Sequence, residues 1–194
     1  MKVTPVVLAY ETLPDEALNA PFLVALGEVK KFYDAYGKPV EYGELERYAY
    51  TGEDYRLVRN PWNLILDYLQ REFISNEFYL VLIPDWIGDG VIYGWGGYPM
   101  GLMGKYAADK FLTAGTPEAI VDDFLAAGLT AHELGHVMGY AHDDSTFNVM
   151  YHWWQWPNIN PSPAMTSDGR YASLSSLIES KNEACPVFIG ESVD

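Results

Sequence analysis

Apolar residues along the chain fall into two rhythms, one of strands and one of helices. Residues 3 to 10 are rich in β-branched side chains and predict a strand. Thr12, Pro14, Asp15 and Glu16 supply a cap, a first-turn proline and first-turn acids, so a helix is predicted from there to about Tyr36. Its apolar positions Leu18, Phe22, Leu23, Leu26, Val29, Phe32 and Tyr33 keep a helical period, and Gly37 and Pro39 stop it. Residues 40 to 58 are tyrosine-rich and mixed, and read as strand or loop. Asn60-Pro61 restarts a helix with Asn60 as cap; Trp62, Ile65, Leu66, Tyr68, Leu69 and Phe73 form its buried face. The unbroken apolar run 78 to 83, ended by Pro84, suits a buried strand.

The middle of the chain is punctuated by glycine. Residues 85 to 90 read as a turn, and 91 to 95 and 101 to 107 as strands, with Gly94, Gly96, Gly97, Gly101 and Gly104 among them. Glycine inside a strand marks a bulge or the close approach of another backbone. No phosphate-loop pattern occurs. Thr116-Pro117-Glu118 then opens a helix on which Ile120, Val121, Phe124, Leu125, Leu129, Leu134, Val137 and Met138 point nearly all round the axis. Such a helix is buried between layers. Residues 157 to 170 read as loop, 171 to 181 as a final helix with Leu174, Leu177 and Ile178 inward, and the tail from 186 as partly disordered.

The buried helix carries the chemistry. His132 and His136 are four apart, so both imidazoles lie on one face. This is the ligand spacing of a zinc helix. Glu133 lies about 100° further round, where its carboxylate reaches a water at the metal without ligating it. Gly139 can take positive φ, end the helix and bring His142 back as a third nitrogen ligand. Three protein ligands leave a fourth position open, which marks a catalytic rather than a structural zinc. The chain has four histidines, and three stand here, a clustering that packing histidines would not show.

The stretch from His132 to His142 resembles the metzincin metalloproteases, whose signature is H-E-x-x-H-x-x-G-x-x-H followed by a methionine-containing turn. Asn148-Val149-Met150-Tyr151 looks like that turn; its spacing and Met-Tyr pair are similar to the matrixin branch, whereas Asp143 is similar to the adamalysin branch. The resemblance implies Met150 as an apolar floor beneath the ligands. Asp143 becomes an acceptor that orients the site or simply part of the helix-exit turn. Some relatives carry a Tyr two residues after the Met, to touch zinc or the transition state; here that place holds His152, either catalytic or packed as a loop residue. Tyr151, Trp153, Trp154 and Trp156 form either the wall of an apolar substrate pocket or a small satellite core. Residues 94 to 103 correspond to the edge strand that pairs with an extended substrate, or form an internal hairpin.

Charge and composition narrow the setting. The 194 residues predict one α+β catalytic domain of metzincin type: a twisted mixed sheet with packed helices, an N-terminal lobe (1–139) and a mostly irregular C-terminal lobe (140–194) ending in a helix. A formal net charge of −15 repels nucleic acid and anionic membranes, and favours neutral or basic peptides or serves solubility alone. A monomer is expected. The single cysteine, Cys185, excludes an intramolecular disulfide and reads as a small hydrophobe. No apolar run reaches membrane-spanning length. The first residues are too short for a signal-peptide core and are broken by Pro5, so the protein is intracellular or its leader has been removed; the resemblance leans to secretion. One catalytic zinc is expected. A second, structural zinc of the matrixin kind lacks its histidines, and calcium has only Asp85, Asp89, Asp143 and Asp144 as candidate ligands, without a calcium-loop pattern. The expected activity is a zinc endopeptidase; the rivals are a catalytically idle zinc-binding protein and a hydrolase of a non-peptide amide.

Overall fold

The computed structural model describes residues 1–72, 78–88, 94–122, 124–142 and 149–150. Strand β1 (Lys2–Tyr10) is the axis of the sheet. It pairs in parallel with β2 (Glu41–Tyr42) and β3 (Glu46–Tyr50) on one side and with β4 (Phe78–Leu82) on the other. Gly94–Gly97 and Met100–Met103 form β5 and β6; β6 runs parallel to β4, and β5 lies antiparallel to β6 at the end of the sheet. The sheet is therefore mixed, with β5 its one antiparallel strand among the described residues.

Helices cover both faces, which is why β1 and β4 read as unbroken apolar runs rather than alternations. Val3, Val7, Leu80, Leu82 and Met103 point to the face covered by α1 (Asn19–Ala35), α3 (Lys105–Thr113), α4 (Pro117–Asp122) and α5 (Leu129–Val137). Val6, Leu8, Tyr79, Val81, Ile83, Met100 and Leu102 point to the other face, covered by α2 (Trp62–Glu72) and a group of tyrosines. Asn60 caps α2 as expected, its side chain accepting from Trp62 N at 2.9 Å. Gly37, at φ +72, follows the end of α1. Among the described residues no helix is long and apolar enough to cross a membrane.

Three expectations need correction. Asp15, not Thr12, is the first cap: it accepts from Ala17 N at 2.9 Å and opens a 3-10 turn (Glu16–Leu18) ahead of α1, while the Thr12 hydroxyl turns back to Tyr10 O. Lys105, Tyr106 and Ala107 are helix, not strand, because Ala107, Ala108 and Phe111 recur at helical spacing and bury against the core. The helix expected to run from Pro117 through the histidines is interrupted by a π-helical segment (Phe124–Gly128). There the Thr130 hydroxyl bonds to Ala126 O at 2.7 Å, a side-chain intrusion of the kind that loosens the i to i−4 ladder. Of the strand expected at 91 to 95, Gly94 and Trp95 are described and belong to β5. Phe73, the loop at 157–170, the helix at 171–181 and the tail lie outside the described residues.

Candidate metal centre

The centre is built by a short buried helix and the turn that ends it. In α5, His132 and Glu133 are buried along with Leu129, Ala131, Leu134 and Val137. Gly139 takes φ +88; Tyr140 N donates to Gly135 O and Gly139 N to His136 O, both at 3.0 Å. This paired turn at a helix end needs a residue without Cβ. It brings His142 back over the helix, and it leaves Tyr140 O facing His136 Nδ1 at 2.9 Å. His132 Nδ1 meets Val149 O at 2.7 Å. A carbonyl only accepts, so both Nδ1 atoms carry the hydrogen and both Nε2 atoms present lone pairs.

Those lone pairs converge. His136 Nε2 lies 3.0 Å from His142 Nε2, which lies 3.3 Å from His132 Nε2. The three residues form a group able to hold a metal ion. A tetrahedral ion with bonds of ~2.0–2.1 Å sets its ligands about 3.3 Å apart, which these distances approach. A purely hydrogen-bonded trio would leave the single Nε2 hydrogen of His142 to serve two acceptors. Burial pushes the His136 pKa down, favouring the neutral ring that a metal ligand must be. The residues present therefore fit a metal ion of the imidazole-binding class.

Glu133 stands next to this trio in the chain, 3% exposed. Burial pushes its carboxyl well above the usual carboxylate range. Its Oε2 has no hydrogen-bond partner among the described residues. A buried acid without a partner costs free energy.

Sequence reasoning missed what holds this helix. A Cβ on Gly94 would fall 2.2 Å from Glu133 Oε1; one on Gly96 would fall 2.5 Å from His136 Cβ and 2.7 Å from Glu133 Oε2; one on Gly101 would fall 3.0 Å from Glu133 O. All three glycines point to the same face of the β5–β6 hairpin, where Gly96 and Gly101 are direct partners. They form a bare seat that lets α5 rest on backbone. The alternation of Gly94 and Gly96 in a strand was the available signal for it. On the helix itself, a Cβ on Gly135 would fall 2.2 Å from Met150 Sδ and 3.0 Å from the Tyr33 hydroxyl. Met150, 1% exposed, thus lies against α5 one residue before His136.

The other expected site residues are placed less fully. Asp85 is engaged within the fold: its carboxylate accepts from Tyr10 N at 2.9 Å and from the Tyr55 hydroxyl at 3.0 Å. Residues 94 to 103 do form a hairpin, with β5 outermost among the described strands. Asp143, Tyr151, His152, Trp153, Trp154, Trp156, Cys185 and the further acids Asp89 and Asp144 lie outside the described residues.

No protein-family model and no curated protein matches the sequence. Among solved structures, the chain superposes on archaemetzincin from Methanopyrus kandleri with a TM-score of 0.53 at 15% identity, covering 93% of this chain and 96% of that one. A zinc-dependent peptidase from Methanocorpusculum labreanum aligns at TM-score 0.41 and 15% identity over 75% of this chain and 87% of that one. Metalloproteinase-II from Bacteroides fragilis aligns at TM-score 0.49 and 17% identity over 86% of this chain and 50% of that one. With its open mixed sheet, helices on both faces and nearly end-to-end coverage, the chain has the fold of that archaemetzincin.

Proposed function

We propose that this chain is a zinc-dependent endopeptidase of the metzincin type. The observation that carries the reading is the convergence of three imidazole Nε2 atoms beside a buried glutamate that has no partner among the described residues. His132, His136 and His142 would hold the ion. Zinc there supplies Lewis acidity, polarising a scissile carbonyl and making water a stronger acid. Glu133 takes the proton from the attacking water and returns it to the leaving amine. The two Nδ1 hydrogen bonds, to Val149 O and Tyr140 O, hold two rings in the tautomer and orientation the ion needs.

The glycine seat sets the distance between Glu133 and the sheet edge. An extended peptide added along β5 would run past Glu133 with no β5 side chain on the metal face to hold it off. Asp143 is proposed as an acceptor that orients the site, His152 as a contact to the transition state, and Tyr151, Trp153, Trp154 and Trp156 as the wall of an apolar substrate pocket. The likeness in fold to the archaemetzincin of Methanopyrus kandleri agrees with this reading.

Digestion of a mixed peptide library with and without a chelator tests it. Cleavage is expected, lost on chelation and restored by one zinc per chain. A chain that binds zinc and cleaves nothing would be an idle binder. One that cleaves only small non-peptide amides would be a different hydrolase.

A further inference from the structure

We propose that Tyr33, on α1, is a positioning residue for the three-histidine centre: its hydroxyl fixes the rotation of α5 about its own axis. The inference rests on the reading that the histidines hold a metal. Tyr33 is fully buried, and its hydroxyl donates to Ala131 O at 2.7 Å, across 98 residues of chain. Ala131 O belongs to the peptide that leads into His132. A carbonyl has two lone pairs, so this one can accept from Tyr33 and still serve the helix.

The two sides of α5 are held differently. On the sheet side, Gly94, Gly96 and Gly101 touch Glu133, His136 and Val137 through bare backbone, a contact without direction. On the opposite side, the Tyr33 hydroxyl and Met150 Sδ meet over Gly135. Of these contacts the Tyr33 hydrogen bond is the one with a strong angular preference. The π-helical segment just ahead of α5 weakens the hold from the preceding turns. A rotation of ~10° about the axis would carry the far end of an imidazole by roughly 1 Å, about twice the slack a built site tolerates.

Packing alone does not call for the hydroxyl. The Tyr33 ring sits edge-on to Phe32 at 5.2 Å within the apolar core, and a phenylalanine would fill that space. Burial pushes the Tyr33 pKa well up, so the group stays a neutral donor. Its hydroxyl donates to the carbonyl next to a metal-ligand candidate.

The test compares Tyr33→Phe with wild type and with Tyr55→Phe, which removes a buried tyrosine hydroxyl from the far face of the sheet. Zinc affinity is read by competition with a chromophoric chelator, the cobalt-substituted protein by its visible spectrum, and the metal-free chain by thermal melting. Tyr33→Phe is expected to weaken zinc about 5- to 10-fold and shift the cobalt bands; Tyr55→Phe should lower the melting temperature and change neither. Tyr33→Phe with affinity within twofold and an unchanged cobalt spectrum, whatever its melting temperature, overturns the positioning role alone. A wild-type chain that binds no zinc overturns the reading of the centre as well. If Tyr33→Phe does not fold, Gly135→Ala presses a methyl between the hydroxyl and Met150; unchanged affinity there overturns the proposal.

Discussion

The two faces of the central sheet bury polar groups in opposite ways. On the α2 face the single O–H of Tyr55 is shared between Asp85 Oδ1 and Leu8 O, that of Tyr68 donates to Ala49 O, and the Trp86 indole N–H donates to Val58 O. These groups are satisfied within the fold, and their rings pack edge to face: Tyr50 lies 5.1 Å from both Tyr55 and Tyr68. On the α5 face, three imidazoles aim at one another and a carboxylate oxygen finds no partner among the described residues. One face spends its polar groups on stability. The other also satisfies the Tyr33 and Thr130 hydroxyls, but it leaves the three Nε2 atoms facing one another and one carboxylate oxygen without a partner among the described residues, and that difference points to where the chemistry lies.

The largest expected effect comes from Glu133. Glu133→Gln should leave zinc bound and lower peptide hydrolysis by ~10²-fold or more, the scale of losing a general base. Its second signature concerns stability. The folded chain raises the Glu133 pKa through burial. For a raised carboxyl, the stability contribution is intact below the unfolded value of ~4.3 and is lost as pH rises through the folded value. The metal-free chain should therefore melt lower at neutral pH than in mild acid, and Glu133→Gln should raise the neutral melting temperature. A bound cation works against this by favouring the carboxylate. If metal-free Glu133→Gln melts below wild type at pH 7, the contrast between the faces loses its main support.

Next in size are the seat glycines. Gly94→Ala places a methyl 2.2 Å from Glu133 Oε1, and Gly96→Ala one 2.5 Å from His136 Cβ. Overpacking of this kind costs ~1–3 kcal/mol. Misplacement by ~1 Å can cost up to ~10²-fold in rate. Gly94→Ala should lower kcat while zinc stays bound, because it displaces the base. Gly96→Ala should lower zinc affinity as well, because it also displaces a ligand. Metal analysis beside steady-state kinetics separates the two.

Much of this was legible in residues and some was not. The histidine spacing, Glu133 and the turn at Gly139 are local, and the structure brings the three histidines together with Gly139 at φ +88. The strand at 78 and the cap at Asn60 are likewise set by near neighbours. What stayed hidden was long-range. Nothing near Tyr33 announces that its hydroxyl meets a carbonyl 98 residues away. The glycines at 94 and 96 signalled close approach of some backbone, but not which one. The π-helical break coincides with the Thr130 hydroxyl bonding back to Ala126 O, a side-chain contact that apolar periodicity does not register. The helix from Lys105 was hidden because its buried side chains are mostly alanine.

A smaller effect belongs to the tyrosine face. Tyr55→Phe leaves Asp85 Oδ1 and Leu8 O without that donor, at a cost of about 1–2 kcal/mol. Burial, then the charge of Asp85, pushes the Tyr55 pKa up. A raised tyrosine holds its stabilisation below the unfolded value of ~10 and loses it as pH rises beyond that. Wild type should therefore lose stability from about pH 10 upward, and Tyr55→Phe should lose less over the same window. Turnover and zinc content at neutral pH should stay those of wild type. A drop in zinc content would mean the two faces are coupled through the sheet.

The smallest expected effect is the sharpest control, because it reverses sign one residue along the same strand. Gly97 points to the face opposite Gly96, and a Cβ there would lie 3.5 Å from Trp62 Cη2, ordinary van der Waals contact. Gly97 does not take the left-handed φ that would demand glycine. Replacing a strand glycine by alanine removes backbone freedom from the unfolded chain, worth ~0.5–1 kcal/mol where nothing collides. Gly97→Ala should thus melt slightly above wild type with unchanged kcat and KM, while Gly96→Ala melts below it with impaired turnover. Identical chemistry, two faces of one edge strand, opposite signs: melting curves on the two variants side by side decide it. Equal destabilisation by both would mean that the strand needs glycine for its own backbone, and that the seat under α5 is incidental.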